Sequence, residues 1–248
     1  MRILLLNPNS SDAMTKGMVQ AAKSTPVSNS VEIHVMTASQ DAPRSIDSAA
    51  DIQASTQAVL EELSCADSAR SGRNDWDAIL VACFSVHSLV PELSTRFDVP
   101  VTGIFEASIL TAMSLLRPGE QWGIVTTGKF WEKHLSDGVY EFLGVHVGRS
   151  TKFAGVATSG LTAGDFHTMS ADDVNAKLSS ATRRLLESGN ISCVVMGCGG
   201  MVGLEGVIRS TAKDVYGEQK ARDLYIVDGV KAAILQLHHS INGSRIFR

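Results

Sequence analysis

Ala78-Ile79-Leu80-Val81-Ala82-Cys83-Phe84-Ser85-Val86-His87 and Cys193-Val194-Val195-Met196-Gly197-Cys198-Gly199-Gly200-Met201 are the two stretches that decide how this chain folds. In each, a short, unbroken apolar run ends on a cysteine. A run of that length with no polar alternation reads as a strand buried on both faces. Each thiol therefore lies where a strand gives way to a loop, the end of an α/β sheet at which ligands bind. Two such thiols facing one cleft could act as a pair of acid/base groups.

Working outward, strands and helices alternate. Strands are predicted over 2–7, 31–37, 78–82, 100–104, 121–126, 145–156, 193–197 and 224–227. Helices are predicted over 12–23, 48–64, 86–96, 107–116, 130–143, 171–188, 204–215 and 229–239, with a polar loop over 66–75. Ser10 and Ser11 can cap the first helix. Alternation of this kind means parallel sheets joined by crossover helices. The pattern begins again after Pro118-Gly119, so the chain reads as two similar α/β lobes. Cys83 lies 73 residues beyond Ser10, which follows the first strand of one half, and Cys198 lies 72 beyond Thr126, which ends the first strand of the other. The two cysteines are then structural equivalents.

Composition narrows the function. The 248 residues are 44% hydrophobic, enough for a substantial core or two smaller ones. The net charge of −4 and the lack of any Lys/Arg-rich run argue against nucleic acid as a partner. The N-terminal apolar run, Ile3 to Leu6, is too short for a signal peptide or membrane span. Four cysteines in a chain of this length do not suggest a disulfide framework. A soluble, cytoplasmic protein in a reducing compartment, with no membrane partner, is the expectation. Cys83, His87 and Cys198 lack the paired spacing of a metal site, so no metal is expected. The glycines of 197–206 are not followed by Gly-Lys-Ser/Thr, which removes the phosphate-loop reading. Cys65, late in a helix, and Cys193, inside a strand, read as structural. His167, His238 and His239 read as surface residues. His87, at the predicted start of a helix, could tune the thiol or contact substrate, or else cap or pack.

Four spaced segments resemble the aspartate/glutamate/hydantoin racemase superfamily, and within it the hydantoin and allantoin racemase branch. They are Leu6-Asn7-Pro8-Asn9-Ser10-Ser11, with Met14-Thr15 following; Ala42-Pro43-Arg44-Ser45-Ile46-Asp47; Ala82-Cys83-Phe84; and Gly197-Cys198-Gly199-Gly200-Met201, set in the two-lobed order above. The first cysteine is followed by Ser85-Val86-His87-Ser88 where the branch often has an Asp-rich turn. The Cys-Asn-Thr and Gly-Cys-Thr-His motifs of glutamate racemases are absent. The resemblance implies two α/β lobes related by a pseudo-two-fold axis with the site between them. It places one lobe over 1–100, completed by about 206–248, and the other over 101–205.

It also implies racemisation with Cys83 and Cys198 as the two bases and no cofactor, because the C–H bond at carbon 5 of a hydantoin ring is already acidified by a carbonyl. One cysteine must be a thiolate and the other a thiol, and helix N-termini after both loops would favour the thiolate. The amides of Phe84, Ser85, Gly199 and Gly200 are candidates to hold the enolate oxygen. Asn9, Ser10, Thr126 and Thr127 are candidates to bind ring carbonyls and N–H groups, and Ile46 and Phe84 to line the side-chain pocket. The expected partner is a small cyclic ureide or hydantoin, with a homo-oligomer left open. Maleate isomerase-like or arylmalonate decarboxylase-like chemistry in the same superfamily, and a non-catalytic metabolite-binding protein, are the rival readings.

Overall fold

A computed structural model describes residues 1–69 and 76–247. Its elements are β1 (Arg2–Asn7), α1 (Asp12–Lys23), β2 (Glu32–Thr37), α2 (Ala49–Ala69), β3 (Ala78–Val81), α3 (Leu89–Arg96), β4 (Val101–Gly103) and α4 (Ile104–Leu115), followed by β5 (Gln121–Thr126), α5 (Phe130–Phe142), β6 (Phe153–Thr158), α6 (Asp165–Thr168), α7 (Ala171–Glu187), β7 (Ile191–Met196), α8 (Glu205–Tyr216), α9 (Glu218–Asp223), β8 (Tyr225–Asp228) and α10 (Gly229–Phe247). They form two parallel four-stranded sheets, in the orders β2-β1-β3-β4 and β6-β5-β7-β8. The expected α/β class and the repeated lobe are both present.

Burial explains why the central strands read so clearly. Ile3, Leu4, Leu5 and Leu6 of β1 and all four residues of β3 are buried, because helices cover both faces of a parallel sheet. The edge strand β2 is only half-buried. In the first sheet Leu4, Leu6, Ile79 and Val81 pack under Val59 and Leu63 of α2 and Leu89 and Leu93 of α3. In the second, Val125, Val194 and Met196 pack under α7 and α8 through Leu178, Leu185, Ile208 and Ala212. In α7, Val174, Leu178, Ala181 and Leu185 recur at helical spacing on the buried face. Ser170 caps that helix, its hydroxyl accepting from the Asp173 N–H at 3.2 Å. Each fully buried Leu contributes roughly 1.5–3 kcal/mol relative to leaving it exposed.

The chain divides into two compact units, Met1–Ala107 with Val230–Arg248, and Ser108–Gly229. The expected boundaries near 100 and 206 are displaced for a physical reason. Residues 101–107 stay with the first sheet because β4 hydrogen-bonds to β3. Residues 206–229 stay with the second because β8 pairs with β7 from Cys193↔Tyr225 to Met196↔Asp228, and α8 packs on α7.

Other boundaries move too. The helix predicted over 48–64 runs on to Ala69, so 66–69 of the expected polar loop are helical, and the rest of that expectation, 70–75, lies outside the described residues. The strand predicted over 145–156 begins only at Phe153. Gly144 and Gly148 hold φ of 65° and 75°, turn geometry that glycine adopts without strain. Among the described residues no helix is long and apolar enough to cross a membrane.

Candidate functional site

In both sheets the strand order reverses beside the central strand, at β1/β3 and at β5/β7. Crossovers leave on opposite sides there, and the carboxyl ends of two such strands are where open α/β sheets bind their ligands. The residues leaving those strands are Asn7-Pro8-Asn9-Ser10 and Cys83 in the first unit, and Thr126-Thr127 and Cys198 in the second.

The register is the same in both. The Ala82 N–H donates to the Leu6 carbonyl at 2.8 Å, and the Gly197 N–H donates to the Val125 carbonyl at 2.7 Å. Ala38 and Ser159 donate in the same way to the carbonyls of Asn7 (3.0 Å) and Thr126 (2.8 Å). Cys83 and Cys198 are therefore equivalent positions. The structural counterpart of Thr126 is Asn7, not Ser10, so the near-equal spacings counted from Ser10 do not mark equivalent residues; the shared strand order and register carry the repeat.

In the first unit the loops hold one another. The Asn7 amide donates to Asn9 Oδ1 and to Thr15 Oγ1, both at 2.9 Å. Asn9 Oδ1 also accepts from the Ser11 N–H at 2.9 Å. The Ser10 hydroxyl donates to the Ala42 carbonyl at 2.9 Å, and its N–H donates to the Pro43 carbonyl at 3.0 Å. These bonds tie the β1 loop to the segment carrying Ile46, which is itself buried. Phe84 is buried edge-on against Phe105, the ring centroids 5.5 Å apart. Ser85 is buried, its hydroxyl 3.4 Å from Cys83 Sγ and its N–H donating to the Cys83 carbonyl at 3.1 Å.

His87 is 2% exposed and precedes α3 rather than lying in it. Its Nδ1 accepts the Leu89 N–H at 3.3 Å, and its Nε2 lies 3.1 Å from the Ser55 hydroxyl of α2. The ring satisfies an amide at the start of α3 and locks that helix to α2. That is why the helix starts at Leu89 instead of 86.

In the second unit Thr126 and Thr127 are both buried, and the Thr126 hydroxyl donates to the Gly197 carbonyl at 2.5 Å. A Cβ at Gly197 would lie 2.6 Å from Ile124 Cγ2 and 2.7 Å from Thr126 Cβ, so only glycine fits. Cys198 then caps a 3-10 turn, Gly199–Met201, in which the Gly200 N–H donates to Cys198 Sγ at 3.3 Å. The expected N-terminal helix field at the thiols is not built: α3 begins six residues after Cys83 and α8 seven after Cys198. Two of the four amides nominated for an enolate oxygen, those of Ser85 and Gly200, are engaged by the cysteines themselves.

The four cysteines separate by environment. All are free thiols; Cys83 and Cys198 are half-buried, Cys65 is exposed on α2, and Cys193 is buried. Burial pushes the Cys193 thiol up to about 12, which leaves it un-ionised and inert at neutral pH. Glu106, unmarked as a site residue from sequence, sits one turn into α4, three residues beyond the end of β4, which is β3's neighbour. Its carboxyl turns back over Gly103 and accepts backbone N–H bonds of Gly103 and Glu106, yet burial outweighs them and lifts it to about 7. Its Oε2 has no hydrogen-bond partner among the described residues. The sequence signal was a lone acid after the short strand, with nothing to tell a helix cap from a site. Among the described residues no group of three or more His, Cys, Asp or Glu side chains could hold a metal ion.

Comparison with known proteins agrees with this layout. Residues 3–237 match the model of the Asp/Glu/Hydantoin racemase family. A hydantoin racemase of Paenarthrobacter aurescens is 29% identical over 208 residues, covering 82% of this chain and 79% of that one. A hydantoin racemase of a Pseudomonas species is 27% identical over 235 residues, 94% of this chain and 83% of that one. The crystal structure of allantoin racemase from Pseudomonas fluorescens superposes with a TM-score of 0.77 at 23% identity, covering 98% of this chain and 92% of that chain. With the family model spanning nearly its whole length, this chain belongs to the Asp/Glu/hydantoin racemase family.

Proposed function

We propose that the protein is a cofactor-independent racemase of a cyclic ureide or 5-substituted hydantoin, allantoin among the candidates, with Cys83 and Cys198 as its two bases. The observation that carries this is the pair of half-buried thiols at one register position in two sheets, each with a hydrogen-bonding partner two residues on. Racemisation needs a proton removed from one face of a carbon and another delivered to the opposite face. One cysteine, as thiolate, takes the proton, and the C–H electron pair moves onto the adjacent carbonyl as an enolate. The other cysteine, as thiol, delivers its proton to the far face as the pair returns to carbon. Carbon is inverted, and the two sulfurs have exchanged protonation states. We assign the enolate oxygen to the amides of Phe84 and Gly199. Asn9, Ser10 and Thr127 shape the loop surface that orients the ring, and Ile46 belongs to its apolar side. Positioned acid/base groups of this kind typically contribute about 10²–10⁴-fold each.

The test is optical rotation of allantoin and a panel of single-enantiomer 5-substituted hydantoins, with wild type, Cys83→Ser and Cys198→Ser. Loss of rotation above the buffer rate in wild type, abolished by either substitution, supports the assignment. A wild type that leaves the whole panel unchanged removes it. Turnover of maleate would then point to isomerase chemistry, and binding without turnover to a metabolite-binding protein.

A further inference from the structure

The partner two residues beyond each cysteine is of a different kind at the two sulfurs. Cys198 Sγ accepts a backbone N–H, that of Gly200, at 3.3 Å. Cys83 Sγ lies 3.4 Å from a hydroxyl, that of Ser85, in which either atom can donate. The difference is chemical, not only geometric. A backbone N–H can only donate, its direction is set by the 3-10 turn, and it offers a thiol proton nothing to bond to. It stabilises the sulfur chiefly as an anion, since bonds to an ionised acceptor are roughly twice as strong as neutral ones. A hydroxyl can rotate, accepting from S–H and donating to S⁻. It supports both states, so its preference between them is smaller.

We propose that Cys198 is the thiolate and Cys83 the thiol in the resting protein, and that Ser85 is a positioning residue whose hydroxyl reverses its hydrogen bond as Cys83 changes state. Under the racemase reading, on which this consequence rests, Cys198 takes the first proton. Cys83 gives its own to carbon and is left as the thiolate, which Ser85 then stabilises by turning its O–H toward the sulfur. Burial supports the assignment: Ser85 is wholly enclosed, so water cannot readily replace its hydroxyl. Gly200 is held close, with a Cβ there meeting Phe166 at 3.1 Å and the Ala163 carbonyl at 3.4 Å. The turn that presents its N–H therefore has little room to relax.

The experiment is site-resolved alkylation by iodoacetamide across pH, read by peptide mass spectrometry, with each cysteine's rate normalised to its own alkaline plateau so that accessibility cancels. It needs no substrate, so failure of the racemase reading and failure of this one are separable. At pH 7 Cys198 is expected to reach a plateau fraction about tenfold greater than Cys83, the ratio equivalent to one pH unit between the two profiles. Equal fractions, or Cys83 ahead, overturn the assignment. Ser85→Ala should move the Cys83 profile to higher pH, lowering its plateau fraction at pH 8 several-fold and leaving Cys198 in place; Ser85→Thr, which keeps the hydroxyl, should restore it. Coincident movement of both profiles, or none, removes the role given to Ser85. Gly200→Pro deletes the N–H and Gly200→Ala keeps it beside the same added carbon, so the Cys198 advantage should vanish in the first and persist in the second. Should the proline variant not fold, the wild-type profiles and the Ser85 pair still decide the matter.

Discussion

The two cysteine loops leave equivalent strands in the same register, yet they are built from opposite materials. The loop after β3 is made of side chains. Phe84 is wedged against Phe105, Ser85 is enclosed, and His87 bonds both the start of α3 and Ser55. The loop after β7 is made of backbone: Gly197 lets the chain pass Ile124 and Thr126, and the Gly199-Gly200 turn brings an N–H to the sulfur. The difference teaches that a duplicated fold conserves where a thiol emerges without conserving what surrounds it. In a reaction that begins and ends with one sulfur as thiolate and the other as thiol, that asymmetry is useful.

The comparison can be broken most severely at the sulfurs. Serine at either position should lower racemisation by at least about 10²-fold, because a hydroxyl is a far weaker acid/base partner at neutral pH. Initial rates by optical rotation check this, and a variant at one position retaining full rate would separate the loops functionally.

Next in size is Glu106, which follows β4 and has no acidic counterpart at the matching position after β8. Val81↔Gly103 matches Met196↔Asp228 in register, so the equivalent of Glu106 is Lys231. Its carboxyl is raised from 4.5 to about 7 by burial, so the folded protein holds that proton where the unfolded chain has lost it. The group's favourable contribution is complete below about 4.5 and is lost as pH rises through about 7; above that, its ionisation costs about 3 kcal/mol. Glu106→Gln should therefore gain stability relative to wild type on going from pH 4.5 to pH 8, measured by urea unfolding at each pH. A constant difference across that range would contradict the assignment.

Smaller again is the pair Gly197→Ala and Ala82→Gly, at equivalent positions before the two cysteines. The added methyl at 197 has nowhere to go and should cost about 1–3 kcal/mol. The lost methyl at 82 should cost about 1 kcal/mol. Equal losses in urea unfolding would mean that the backbone construction of the second loop is not what holds it. Smallest is Ser55→Ala, which removes one hydrogen bond to His87 and should cost about 1 kcal/mol with little change in racemisation rate. A large loss of rate there would move His87 from a packing role into the chemistry.

Legibility from sequence followed burial. The central strands of both sheets are unbroken apolar runs, so Cys83 and Cys198 could be placed at strand ends from residues alone. The strand expected over 145–156 misled because Val145 and Val147 are apolar yet exposed, Val147 to 71%. The short helix α9 was not visible because its six residues bury only Ala221. It is held by Arg209, whose guanidinium donates to the carbonyls of Ala221 and Leu224. The unit boundaries depend on which strands pair, a long-range choice that local periodicity does not encode. What meets each sulfur was equally out of reach, since Ser85 and Gly200 matter through hydrogen-bond direction rather than residue pattern.

The central claim is that two thiols serve opposite faces of one carbon, and the most direct measurement is the early course of a single enantiomer of a turned-over hydantoin in D₂O. Thiol protons exchange with solvent, so the group that delivers carries deuterium. The account predicts that the inverted product appears deuterated at carbon 5 while the recovered substrate remains protonated. Deuterium entering substrate and product equally from the first time points would mean that a single base serves both faces, and would contradict it.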